Sequence, residues 1–191
     1  AITAGIGASI SVGSEFESAF AVVKKTVTAT DVELAQMRDE LRQMAKEMPM
    51  TASELSGIAE AAGQLGIENE NLMDFTKTMA DMSVATNLTS EEAATEFAQF
   101  ANITRMSQEY FDELGSSVVA LGNTMATNEA DIVNMGMRLA AAGDQVGLSE
   151  AEIMAYAASL SSVGIEAEAG GTAFSKLLVN LQMAAETGKN L

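Results

Sequence analysis

The sequence predicts an all-α fold: a compact multi-helix domain of repeated αα-hairpins, preceded by a longer heptad-like helix. Three observations carry this expectation. Apolar residues recur in steps of three and four along most of the chain, and no segment alternates with the period of two that a half-buried strand requires. Proline, the residue that most strongly interrupts helices, occurs once. Short capping signatures recur ahead of the periodic segments, marking where helices begin. With 191 residues and 48% hydrophobic content, the chain is long enough to bury a core as one or two domains.

Residues 1–14 read as the end of an apolar segment cut from a longer chain. They lack the basic start of a signal peptide and fall short of the roughly 20 apolar residues that span a bilayer. Residues 15–48 form a helical N-terminal arm. Phe16, Phe20, Val23 and Val27 share one helical stripe, and after Thr28-Ala29-Thr30-Asp31 it resumes as Leu34, Met37, Leu41, Met44 and Met48. That second run has the spacing of a seam packed along another helix. Pro49 stops it, because proline restricts the residue before it and cannot continue a helix interior.

Residues 49–191 form the globular helical-hairpin domain. Thr51-x-x-Glu54, Thr89-x-x-Glu92 and Ser149-x-x-Glu152 are capping boxes, and Asn128-x-x-Asp131 is a weaker relative. Met50 with Leu55, and Leu148 with Ile153, stand where two apolar residues staple an entering chain. Gly66-Ile67 and Gly164-Ile165 have the form of a left-handed stop followed by an apolar residue that folds back. Asn87-Leu88-Thr89 and Gly147-Leu148-Ser149 join such a stop directly to the next cap. The expected helices cover 15–27, 31–48, 51–65, 69–86, 89–103, 107–121, 128–142, 149–163 and 168–186.

The stretch from Met50 to Glu68 returns as Leu148 to Glu166, with Glu54, Ala59, Gly66, Ile67 and Glu68 meeting Glu152, Ala157, Gly164, Ile165 and Glu166. Phe75-Thr76-Lys77 faces Phe174-Ser175-Lys176 after a slip of one residue. Related hairpins are therefore expected at 50–86 and 148–186. The caps at 51, 89, 128 and 149 are unevenly spaced, which speaks against a solenoid of fixed period and for two related halves.

Composition narrows the function. The chain has no Cys and no His, so disulfides, thiolates and the commonest general base and metal ligand are excluded. The net charge of -17 opposes a nucleic-acid backbone or an anionic membrane, and most of the acid excess lies after residue 48. Thr51 to Leu72 has the spacing of a helix-turn-helix, yet the would-be recognition helix carries Lys77 alone against Glu68, Glu70, Asp74 and Asp81. Lys176 is likewise the lone cation of the second copy. Such helices repel phosphate, and an ordinary αα-hairpin is the better reading.

No residue set is assigned as catalytic, cofactor-binding or metal-binding. A nucleophilic Ser would need a Lys as base, and no Ser-x-x-Lys occurs. Glu91 and Glu92, like Asp112 and Glu113, read as solvated charges of first helical turns rather than as a glycosidase pair. Glu166-x-Glu168 offers too few ligands for calcium, and Gly5-x-Gly7 lacks the third glycine of a dinucleotide loop. The sequons at Asn87 and Asn102 read as structural, and the thirteen Met residues as core filler with some capacity for an adaptable groove. No cofactor is expected.

The order of these elements resembles the core of tape-measure proteins from long-tailed phages and prophages. The resemblance rests on Gly13-Ser14-Glu15-Phe16-Glu17, the heptad-like run from Leu34 to Met48, Thr51 to Ile67, Gly147 to Glu152 and Gly164 to Phe174. It extends roughly from Ser11 to Gly188. It implies a virion structural module acting in tail assembly and tail-length determination, held in the tail lumen after assembly in the host cytoplasm, and released during genome ejection. It also implies partnership with the tail tube protein, tail-assembly chaperones and other copies of itself, and no enzyme. A helical protein-binding adaptor or scaffold domain is the alternative, and a nucleic-acid binder a distant third.

Overall fold

The computed structural model describes residues 2–188, with side chains described from residue 13 to residue 188. Ala1 and residues 189–191, at the ends of the expected segments 1–14 and 49–191, lie outside the described residues. The described chain is all-α, without a strand: α1 (Ile2–Thr26), α2 (Asp31–Glu47), α3 (Ala52–Gln64), α4 (Leu72–Ala85), α5 (Ser90–Thr104), α6 (Phe111–Thr124), α7 (Glu129–Gln145), α8 (Glu150–Ser162) and α9 (Ala167–Thr187).

Local chemistry sets these limits. At the starts of α3, α5 and α8, the hydroxyls of Thr51, Thr89 and Ser149 accept from the amides of Glu54, Glu92 and Glu152, and those carboxylates accept from the cap amides in return. Asn128 accepts from the Asp131 amide at 2.9 Å. At the ends of α3, α7 and α8, Gly66, Gly147 and Gly164 have φ of 86°, 80° and 78°. The amides of Ile67, Leu148 and Ile165 then reach back to the carbonyls of Ala62, Gly143 and Leu160, the bond that closes a Schellman stop.

Four expectations need correction. The first helix begins at Ile2 rather than at residue 15, because the Gly and Ser residues there cost a helix about 1 kcal/mol or less each and supply no stop. Residues 69–71 form a turn, so α4 starts at Leu72; Asn69 spends its side chain on the Thr28 carbonyl. Asn87 is not left-handed. Instead Thr86 is extended, and its hydroxyl accepts from the Leu88 amide at 3.1 Å, turning the chain into the next cap.

The fourth correction concerns the period. Each odd-numbered helix packs against the next odd-numbered one from α1 to α9, each even-numbered helix against the next even-numbered one from α2 to α8, and the two rows pack on each other. The N-caps of α3, α5, α7 and α9 are Thr51, Thr89, Asn128 and Glu166, about 38 residues apart, the length of one helix pair in a stacked array. Uneven spacing arises only when Ser149, a cap of the even row, is counted among caps of the odd row. The matched stretches 50–68 and 148–166 accordingly begin in different rows, α3 in one and α8 in the other. Moreover, α3 packs along α4, whereas α9 lies along α7 and meets α8 through Tyr156 and Phe174, ring centroids 5.0 Å apart.

One connected core runs between the rows from Phe16 to Ala158, with Phe20, Leu41, Leu55, Phe97, Leu139 and Ile153 each at most 1% exposed. Each such side chain contributes about 1.5–3 kcal/mol by leaving water. Glycine makes close approach possible at two places around α7. A Cβ on Gly143 would come within 2.6 Å of Ile153 Cγ1, and one on Gly171 would overlap Arg138 Cβ, so α7 meets α8 and α9 at glycine.

Candidate functional site

The capping carboxylates occupy the places where the sequence suggested acid chemistry. Glu54 Oε2 accepts from the Thr51 amide at 2.7 Å and its hydroxyl at 2.8 Å. Glu92 does the same with Thr89 at 2.9 and 2.7 Å, and Glu152 with Ser149 at 2.8 and 2.8 Å. The backbone bond is the main cause that holds Glu54 and Glu152 below the ordinary carboxylate range; for Glu92 the Thr89 hydroxyl comes first. Such groups are stable anions held by the backbone, the reverse of a general acid, which needs a raised value.

Thr30 and Glu33 form a fourth box, absent from the three expected, although Thr30-x-x-Glu33 carries the same signature. Of the remaining carboxylates that the sequence raised as candidates, Glu91, Asp112 and Glu113 are exposed in first turns. Glu168 lies 3.4 Å from Arg138 on α7. Of the two sequon asparagines, Asn102 is exposed on α5, while Asn87 clasps the start of α7. Lys77 pairs with Asp81 at 2.8 Å, and that hydrogen bond, with Asp81's charge, raises its value above the usual range for lysine. The cation of the would-be recognition helix is therefore committed within α4, and Phe75 and Met79 point into the core.

Two features had no signal in the sequence. Arg105 is the only non-glycine at positive φ among the described residues, at 58°, and it closes α5 as glycine closes the other stops, the Met106 amide reaching the Ala101 carbonyl. Its guanidinium lies 2.6 Å from Asp144 of α7. Glu96 on α5 is half-buried with Oε2 unpartnered, and burial, reinforced by Glu92, raises its carboxyl above the ordinary range. Among the described residues no three acidic side chains are grouped to hold a metal ion.

What remains is surface. A groove of about 300 Å³ between α4 and α6 is floored by Met82, Val119 and Ala120 and rimmed by Asp81 and Asp112. A second of about 380 Å³ lies between α3 and α5, with Ile58 below and Glu54, Glu60 and Glu91 around it. These acid-rimmed depressions are of side-chain size. Among the described residues no helix is long and apolar enough to cross a membrane.

Comparison with known proteins agrees with a structural role. The model of the family described as phage-related minor tail protein matches residues 38–191. The chain is 24% identical over 186 residues to a probable tape measure protein of Halomonas phage phiHAP-1, covering 91% of this chain and 22% of that relative. The chain thus spans about a fifth of the relative's length. No solved structure matches it. The family match over residues 38–191, with the likeness to that tape measure protein, shows that this chain belongs to the phage-related minor tail protein family.

Proposed function

We propose that this chain is a structural module of a tail tape-measure protein, acting in tail assembly and in fixing tail length, and leaving the tail as the genome is ejected. The family match over residues 38–191 carries the reading. The fold supports it. The notable polar residues serve in caps, stops and clasps between helix pairs, as the parts of a structural module do. Its place is the tail lumen of the virion, after assembly in the host cytoplasm. Its partners are the tail tube protein, the tail-assembly chaperones and other copies of itself.

The module is not the ruler. Among the described residues its longest helix has 25 residues, roughly 38 Å at the helical rise, and the remaining helices fold back beside one another. Length must be read by extended helical parts of a longer protein, on which this module is carried. In-frame deletions in those parts should shorten tails in proportion to the residues removed, measured by electron microscopy. Tails of unchanged length would overturn the ruler reading.

A further inference from the structure

The depression between α4 and α6 continues past Thr78 and Asp112 into a second one of about 350 Å³, with Asp74 and Lys77 on one bank and Glu109, Asp112 and Glu113 on the other. The two halves of this furrow differ in chemistry. The first has an apolar floor of Met82, Val119 and Ala120, and at Gly115 a Cβ would crowd it, coming within 3.2 Å of Thr78 Cγ2. The second is walled by carboxylates, and Lys77 is the one cation among its lining residues. The Lys77 ammonium lies 2.8 Å from Asp81 and also feels the charges of Asp112 and Asp74. A single lysine leaves the furrow negative, for Glu109, Asp112 and Glu113 are exposed and form no ion pair among the described residues.

The surroundings add to this field. Between Met50 and Thr124 the only basic residues are Lys77 and Arg105, and Arg105 is paired with Asp144. Such a surface repels acidic partners and draws basic ones. We propose that the α4–α6 furrow docks a short basic segment of a partner protein, one apolar side chain resting on Met82 and Val119 while a neighbouring arginine or lysine meets Glu109, Asp112 and Glu113. Arginine and lysine suit such a place because their aliphatic stems lie on apolar surface while the charge reaches the rim. The depression between α3 and α5 is less suited, since Glu54 is held by Thr51 and Glu60 accepts from Gln64 at 2.9 Å. This docking is independent of the tail reading, and either can fail without the other.

Methyl NMR of the whole chain, titrated with the peptide acetyl-Leu-Arg-Leu-Arg-amide, tests it. Saturable shifts are expected at the methyls of Met82, Val119 and Ala120, with an affinity that falls as salt is added. The same peptide with citrulline for arginine, equal in shape but uncharged, should bind about tenfold more weakly or worse. Asp112→Asn/Glu113→Gln should weaken the arginine peptide about threefold or more with unchanged helical circular dichroism. Glu60→Gln/Glu91→Gln, which removes as much charge from the α3–α5 depression, should leave the affinity as it is. An absence of shifts, or shifts spread equally over Ile58 and Val119, would overturn the proposal. Equal binding of the citrulline peptide would leave only an apolar furrow, and equal losses in the two double variants only the general charge of the chain; both would overturn it too.

Discussion

Asn87 of the α4–α5 loop donates to Asn128 of the α6–α7 loop, Nδ2 to Oδ1 at 3.3 Å across 41 residues, while its own Oδ1 accepts from the Ala130 amide at 3.2 Å. At the other end of the helices Gln108 does the same for the α3–α4 loop, accepting from the Glu68 amide at 2.8 Å and donating to the Gly66 carbonyl at 3.2 Å. Loops one helix pair apart are thus stitched at both ends, and stability should pass between neighbouring pairs. Asn87→Ala is expected to cost about 0.5–1.5 kcal/mol in urea unfolding, with hydrogen exchange accelerated at Ala130. Unchanged exchange there would show that the clasp holds nothing.

The left-handed stops give a paired expectation. No atom lies within 4 Å of a Cβ added at Gly147, so the cost of Gly147→Ala is conformational alone, about 1 kcal/mol. At Arg105 the strain is already present, and Arg105→Gly should relieve it, offset in part by loss of the exposed Asp144 pair and by a freer unfolded chain. The two substitutions should move the thermal midpoint in opposite directions, or Arg105→Gly should leave it nearly still. A large loss on Arg105→Gly would mean that the guanidinium, not the backbone, holds the end of α5.

Much of this fold was legible because its signals are local. Thr51, Thr89 and Ser149 announce helix starts within four residues, and Gly66, Gly147 and Gly164 announce ends, since few other residues tolerate their φ. Arg105 was illegible because its stop is set from a distance, by half-buried Met106 packed against the core. Asn87 misled for the converse reason: asparagine tolerates the left-handed region, but here its amide is used between loops. The helix-pair period was hidden by caps of unequal chemistry. Ser149 has the full box of an odd-row start while belonging to the even row, and Glu166, a true odd-row cap, makes no side-chain cap bond. The exposure of Leu177 and Leu181 on α9 could not be read from sequence, because they have the same i,i+4 spacing as Met135 and Leu139 in the core.

The capping boxes fix the direction of the acid response. Glu33, Glu54, Glu92 and Glu152 ionise more readily in the folded chain than at their ordinary value of 4.5. Their contribution is therefore complete above that value and is lost as pH falls through the lowered folded values. Glu96 acts in the opposite sense: its raised value means stability is lost as pH rises from 4.5 through the folded value. Glu54→Gln should reduce stability at neutral pH and converge with wild type in acid, whereas Glu96→Gln should raise stability at neutral pH and lose its advantage in acid. Urea unfolding at a series of pH values checks both; parallel curves for either variant would contradict the assignment.

A structural part of a phage tail, carried inside it and expelled with the genome, must be found in the particle before ejection and lost from it afterwards. Quantitative mass spectrometry of peptides from residues 38–191, in intact virions and in ghosts emptied of DNA, tests this most directly. These peptides should be present in intact particles, in a fixed number of copies, and strongly depleted in ghosts. Their absence from intact virions would contradict the structural role, and equal amounts in virions and ghosts would contradict release.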